Sequence, residues 1–487
     1  MKNTIFFFLL LLSLSISAQS QITWNMGMNI AASTSGNEHP RIVTDAASNP
    51  LVLWGHSSRA MFSRWNGSTF TTPVMVNPMS MTIAHAGWMG PDIASHGDTV
   101  YVVMKQTPEA DTSSHIYLVR SFDGGITFSA PFQIDNIGDS ISRFPTVTTD
   151  DTGNPIVGFM KFNSTFGDAR WVVTKSSDYG MTFSTDVKAS GWSAIGATVC
   201  DCCPGSIVSD ANNVAMLYRD NNSNIRDSWA GISYNGGSSF SNGVNIDQNN
   251  WMLMSCPATG PDGVIIGDSL YTVFMNGASG TAKVYRSVSS ISNATSQPSQ
   301  LVTGNIPGLS SQNYPRIASN GNAVAIVWQQ AVSGTAQLPI LFTNDINNGF
   351  PAMYDTVDLA NITNADVAVV NGKVFVVWQD DGSGTVKYRT GTFTPVNTSV
   401  HSLNNITSII GYPNPVSSRV INIPLPYFNN LNVEYTVSNL LARELIHAFV
   451  TIENGLLKVD VSSLQNGTYF LKIISGSQSS VVKIVKE

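Results

Sequence analysis

Reactive chemistry in this chain of 487 residues would begin with its four cysteines. The stretch A-T-V-C-D-C-C-P-G, residues 197–205, places Cys200, Cys202 and Cys203 within four positions, and Cys256 follows in M-L-M-S-C-P-A-T-G-P. Three chemistries fit. Two disulfides would join Cys256 to Cys202 or Cys203 and close a short local bridge from Cys200. A soft metal site would use three or four thiolates, with Met252 or Met254 nearby, to hold copper(I) or zinc. One disulfide beside two free thiols would be redox-active. The spacing is no standard zinc pattern, and the chain opens as a secretory signal over residues 1–18. Lys2 is its positive end, Ile5 to Leu12 its apolar stretch and Ile16-Ser17-Ala18 its cleavage site. An even number of cysteines in an exported chain favours disulfides, so no cofactor is required and copper or zinc is the alternative.

A second constellation is Y-R-D-N-N-S-N-I-R-D from Tyr218, in which Arg219 and Arg226 alternate with Asp220 and Asp227. Arginine forks beside carboxylates orient a loop; they also grip a carboxylate or a sugar diol. The loop-orienting role is the favoured one. Charged residues make up 12% of the chain and the net charge is −7, which excludes a polyanion partner such as nucleic acid. After the signal no run approaches the 18 or so apolar residues of a membrane helix, so no integral membrane segment is expected in the mature chain.

The elements that position these residues are repeats. A proline, a branched apolar residue, a polar turn and an apolar run ending in a large side chain recur from Pro40, Pro91, Pro145, Pro204, Pro261 and Pro315. A seventh copy starts at Ala365 without the proline. Successive starts lie 50 to 59 residues apart. Each copy reads as two short strands around a tight Gly/Asn/Asp turn. A period near 50 with several strands per unit predicts an all-β fold, a β-propeller of seven blades over residues 22–393, with six as the alternative count. A linker over 394–405 then leads to a small β-sandwich over 406–487. In a propeller, the segments before and after each copy ring the axis on one face. That geometry nominates His39, His56, Arg143, Arg219, Asp220, Arg226, Asp227, Tyr314 and Arg316 as ligand-face candidates, and sets Cys256 one blade from the cysteine triplet.

Two resemblances add to this reading. S-F-D-G-G-I-T-F (Ser121, Asp123, Gly125, Phe128) and S-S-D-Y-G-M-T-F (Ser176, Asp178, Gly180, Phe183) resemble the Asp-box, or bacterial neuraminidase repeat, of sialidase-like propellers. S-Y-N-G-G-S-S-F from Ser233 is a softened third copy, and W-N-G-S-T-F from Trp65 a degenerate one. The resemblance implies a structural turn between third and fourth strands, on the face away from the active site. The family's enzymes resemble one another in an arginine triad, a tyrosine nucleophile activated by a glutamate, and an aspartate acid. Here only Glu38 and Glu109 stand between signal and linker, so the mid-chain glutamate is missing and family-type sialidase catalysis is disfavoured. No catalytic residue is assigned.

The C-terminal segment resembles the type A sorting domain of the type IX secretion system of Bacteroidetes. It carries Tyr412-Pro413-Asn414-Pro415, then L-x-x-G-x-Y with Gly467 and Tyr469, and a basic terminus; its usual turn glycine is replaced around Leu441-Ala442. The expectation is a secreted or outer-membrane-surface propeller, exported through the periplasm by that machinery, that binds an extracellular ligand such as a glycan at its axial face. The alternatives are an exo-acting, sialidase-like glycoside hydrolase and a cysteine-rich metal-binding surface propeller.

Overall fold

A computed structural model describes residues 21–396 apart from 32, 34 and 139, and residues 411–487 apart from 426–431, 441–442, 454 and 476–477. The signal at 1–18, most of the linker at 394–405 and the Leu441-Ala442 turn lie outside the described residues. The chain divides into two compact units, one ending at Pro395 and the other beginning at Val396.

The first unit is a seven-bladed propeller. Each repeat supplies the two inner strands of one antiparallel sheet, for example Asn37–Thr44 with Pro50–His56 in blade one and Leu309–Asn320 with Ala323–Val332 in blade six. The first strands of blades one to seven touch in order around the ring, and the seventh touches the first. Blade seven is composite. Ile362–Val370, Lys373–Asp380 and Thr385–Thr392 form its inner three strands, and Thr23–Trp24 from the chain's other end is its outer strand, with Thr23 opposite Thr392. This closing strand carries no repeat signature and was not anticipated.

The strands are continuous apolar runs because both faces of every sheet are covered. In blade one Leu51 and Leu53 turn to blade two, while Val52 and Trp54 turn to blade seven. The same alternation in each blade yields seven apolar clusters, one per seam, rather than a single core. The large residues ending each run (Trp54, Met104, Phe159, Tyr218, Phe274, Trp328 and Trp378) are all buried. Truncating one of them to alanine is expected to cost about 3–5 kcal/mol.

The Asp-box copies form the turns between third and fourth strands of blades two, three and four. Asp123 Oδ1 accepts from the Ile126 and Thr127 N–H groups (3.0 and 2.9 Å), and Ser121 Oγ accepts from Gly125 N–H (2.9 Å). Asp178 and Ser176 repeat this with Met181, Thr182 and Gly180. Asn235 does part of it in blade four. The closing Phe128, Phe183 and Phe240 pack against the seam with the preceding blade. Trp65 to Phe70 forms a shorter turn at the same place in blade one, with Asn66 accepting from the Ser68 and Thr69 N–H groups. Blade six holds a copy the sequence disguises: T-N-D-I-N-N-G-F, in which Asp345 accepts from Asn347 N–H and Phe350 packs in the seam with blade five.

The second unit is a small two-sheet β unit. Val420–Pro424 pairs with Leu456–Asp460, and Glu444–Thr451, Asn432–Asn439, Gly467–Ser475 and Gln478–Lys486 form a four-stranded sheet in that order. Asn414 of the Y-P-N-P element ties the first segment to the last strand, donating to Lys483 O (2.7 Å) and accepting from Val485 N–H (2.8 Å). Tyr469 donates its hydroxyl to Gln465 O (2.8 Å). Among the described residues no helix is long and apolar enough to cross a membrane.

Candidate functional site

The residue after each proline, or its equivalent, occupies one column of the repeat: Arg41, Asp92, Thr146, Ser206, Asp262, Arg316 and Asp366. Together they make a polar belt around the axis. Asp92, Asp262 and Asp366 each accept a backbone N–H from the next blade around the ring: Val147, Ile317 and Ile42, all at 3.0 Å. Asp92 also accepts from Thr146 Oγ1 (2.9 Å), and Asp262 from Ser206 Oγ (2.7 Å). Arg316 Nε lies 3.1 Å from Asp366 and 3.4 Å from Asp262. These carboxylates hold the Arg316 guanidinium above its ordinary pKa despite its burial. Arg41 lies 3.8 Å from Asp92 and donates to Asn364 Oδ1 (3.1 Å); burial and the Arg316 charge lower it to about 10. Arg41 and Arg316 thus occupy one repeat position, and the whole column is readable from the sequence by aligning the copies.

Just above the belt the inner strands are bulged. Their register slips between Glu38 and Arg41, Arg143 and Thr146, Asn313 and Arg316, and Ile362 and Ala365. The residue before the proline takes a positive φ in three of them: His39 (56°), Phe144 (52°) and Tyr314 (47°). Such backbones are costly for non-glycine residues, by about 1–3 kcal/mol each, and the bulges re-aim the side chains. His39, Phe144 and Tyr314 line an axial funnel with Trp88, Arg316 and Asn364. The funnel encloses about 60 Å³. That is room for a few waters, or for the tip of a ligand rather than a whole sugar ring.

His39 is neutral. Burial lowers its pKa well below the usual value, the Arg41 and Arg316 charges add to this, and Arg41 Nη2 donates to its Nε2 (2.6 Å). Burial raises the Tyr314 phenol, with the nearby Asp381 charge adding, so it carries its proton. Arg316 differs from Arg41. Its Nε is engaged, but its two Nη groups make no hydrogen bond to any described residue, and its side chain keeps 22% exposure at the funnel.

One wall of the funnel is built by the cysteine loops. Cys200 is bonded to Cys203, and Cys202 to Cys256, which pins the loop before blade four to the loop before blade five. Pro204, Gly205, Thr259 and Gly260 from these loops line the funnel. Their contact is close: a Cβ on Gly260 would stand 1.9 Å from Pro204 O, so only glycine fits. Cys200 and Cys203 are fully buried, whereas Cys256 is exposed.

The other nominated residues fall elsewhere. Arg143 donates to Glu109 (2.6 Å) and to Asp201 O (3.0 Å) while its guanidinium covers the Phe144 ring, so it braces the cysteine loop. His56 ends the second strand of blade one with its Nε2 3.2 Å from Ser57 Oγ. The Y-R-D-N-N-S-N-I-R-D constellation does not present a ligand face, and four candidates are corrected here. Arg219 is fully buried and donates to Thr259 O, Arg226 O and Met275 O. Asp227 accepts the Asn250 and Trp251 N–H groups (3.1 and 2.9 Å). Arg226 donates to Leu253 O (3.3 Å), and Asp220 is buried with neither oxygen hydrogen-bonded. The physical reason is length: the arginine side chains reach past the funnel rim to buried backbone carbonyls, which they satisfy. Asp247, unforeseen in the sequence, completes this layer through both oxygens to Asn276 Nδ2. Burial pushes Asp220 and Asp247 each up to about 6.

Residues 411–487 match the secretion system C-terminal sorting domain family. No curated protein has a sequence that matches this chain. Solved structures with a similar fold include a protein of unknown function from Dyadobacter fermentans, at 12% identity and TM-score 0.46, covering 66% of this chain and 98% of that one. An α-L-arabinofuranosidase from Fusarium graminearum has 12% identity and TM-score 0.45 over 67% of this chain and 99% of that one. The Trypanosoma rangeli sialidase has 10% identity and TM-score 0.43 over 92% and 84%. The chain is therefore a seven-bladed β-propeller followed by a secretion system sorting domain, which marks it as a secreted or cell-surface protein of a Bacteroidetes-type bacterium handled by the secretion machinery.

Proposed function

We propose that the propeller binds an extracellular glycan at its axial funnel, and that it grips an acidic sugar by its carboxylate. The observation that carries this is Arg316. Its Nε is fixed by two aspartates, while its Nη pair is free to fork a carboxylate from the funnel. Trp88 and Tyr314, both partly exposed, line the funnel with it, and His39, being neutral, adds no second charge. The funnel's size suits a carboxylate-bearing tip.

Hydrolysis is the weaker reading. Glu38 is bonded to His85 (2.8 Å) and Glu109 to Arg143, both belt carboxylates nearest Arg316 accept backbone N–H groups, and the Tyr314 phenol is raised rather than activated. The test is a glycan array of sialylated, uronic-acid and neutral glycans with wild type and Arg316→Gln. Binding confined to acidic glycans, and lost in Arg316→Gln, is expected. Wild-type binding to neutral glycans alone would refute the reading, and turnover of a fluorogenic sialoside that Arg316→Gln abolishes would replace it with the hydrolase.

A second reading concerns the cysteines, whose four sulfurs lie within 4.8 Å of one another. Reduced, they would offer copper(I) or zinc a four-thiolate set. Intact mass with and without alkylation, together with elemental analysis, separates the two: four alkylatable thiols and one metal per chain support the metal site, and a loss of four hydrogens without metal supports the disulfides.

A further inference from the structure

The seam between blades five and six holds a cavity of about 330 Å³, remote from the funnel. Its origin is local. The outer strand of blade five is broken into Thr295–Ser296, which pairs with Ser289 and Ser290, and Gln300–Leu301, which pairs with Tyr285 and Arg286. Gln297 N–H still donates to Val288 O (2.9 Å), but Pro298 has no N–H to continue the ladder, and Ser299 Oγ turns to Asp247 O (3.0 Å). The gap this leaves is lined by Tyr271, Arg286, Gln297, Gln300, Ile326 and Phe350.

Arg286 is the unusual member. Arg41, Arg219, Arg226 and Arg316, the other arginines sunk in the propeller, all donate to protein oxygens, although Arg226 leaves one buried Nη unpartnered. Arg286 donates to none among the described residues, its Nε is buried without a partner, and no carboxylate is near enough to act on it. Its guanidinium sits 5.3 Å from the Phe350 ring centroid, which orients it along the cavity wall. A cation held in a half-buried seam without a counter-ion has lost part of its hydration for no protein bond in return. An anion that enters the cavity would meet the Arg286 Nη groups, which no described residue engages.

We propose that this seam is a second binding site, for a small organic carboxylate with a flat or aliphatic body. Arg286 takes the carboxylate, Phe350, Tyr271 and Ile326 cover the body, and the Gln297 and Gln300 amides meet polar substituents at the mouth. The volume lies at the lower end of the range for small-molecule pockets. The site stands apart from the glycan reading, since no residue is shared with the funnel.

The test uses the full chain with 4-hydroxybenzoate and 3-phenylpropionate as probes, in calorimetry and ligand-observed NMR. One site per chain is expected for at least one probe, with the matching amide at least about tenfold weaker. Arg286→Gln should weaken binding by at least about tenfold, Phe350→Ala to a smaller degree, and Arg316→Gln not at all. Arg286→Lys keeps the charge if Arg286→Gln fails to fold, and should retain weakened binding with the same acid-over-amide preference. Absence of binding for both acids, equal binding of acid and amide, or unchanged binding in the Arg286 variants would each overturn the proposal. Loss in Arg316→Gln alone would place the probes in the funnel and overturn it as well.

Discussion

Aspartates hold both faces of the propeller, but over different spans. On the turn face Asp123 and Asp178 make their hydrogen bonds within four residues of themselves. On the funnel face Asp92, Asp262 and Asp366 accept N–H groups 55, 55 and 324 positions away. A local bond organises one hairpin and is present as soon as that hairpin forms. A belt bond exists only when two blades have docked, and the Asp366–Ile42 bond only when the ring has closed, so the belt ties the packing of the blades to the shape of the funnel. Self-contained turns thus serve as the scaffold, while the coupled face carries the free arginine, the bulged backbones and the pinned loops.

The comparison can be broken most severely at Asp366. Asp366→Ala removes the acceptor of Ile42 N–H and one partner of Arg316, leaving a buried charge short of compensation. A loss of about 3–5 kcal/mol in denaturant unfolding is expected, and a loss under 1 kcal/mol would mean that the belt is not coupled. Next is the paired replacement Cys202→Ser with Cys256→Ser, which opens a bridge spanning 54 positions. Chain-entropy reasoning gives about 4 kcal/mol for it and about 2 kcal/mol for the three-position Cys200–Cys203 bridge. Equal effects would show that Cys202–Cys256 does not restrain the loop pair.

The acid layer beneath the funnel comes third. Asp220 and Asp247 have folded pKa values raised to about 6, above those of the unfolded chain. The folded state therefore binds more protons between about pH 4 and 6, so stability falls as pH rises through that window and levels off above it. Asp220→Asn should flatten part of the slope and raise stability at pH 7 by about 2–3 kcal/mol, read by urea unfolding at several pH values. The smallest effect is expected on the turn face: Asp178→Ala should cost about 1–2 kcal/mol and leave glycan binding unchanged.

Much of this architecture is legible in the sequence because it repeats. The proline-led copies give the blades, the Asp-boxes give the turns, and the two cysteine loops fall one blade apart. What escaped depends on long-range closure or on reach. The N-terminal strand Thr23–Trp24 belongs to blade seven only because the ring brings it there. Arg219 and Arg226 occupy positions beside the funnel, yet their side chains turn to buried carbonyls, which no spacing reveals. The box in blade six was hidden by Thr343 for serine and Asn347 for glycine, although Asp345 and Phe350 keep their places. Arg286 gave no signal at all, since what distinguishes it is the partner it lacks.

The outer strand of blade seven sets the order of events in the life of the chain. Thr23 and its partner Thr392 are separated by 369 positions, and bringing such ends together costs about 5 kcal/mol of chain entropy beyond a constant. The ring is therefore sealed last, once Thr385–Thr392 is available, by a clasp that lies wholly upstream of residue 396. A protease that severs the sorting domain after export would cut outside the clasp and release a propeller with every closing bond in place.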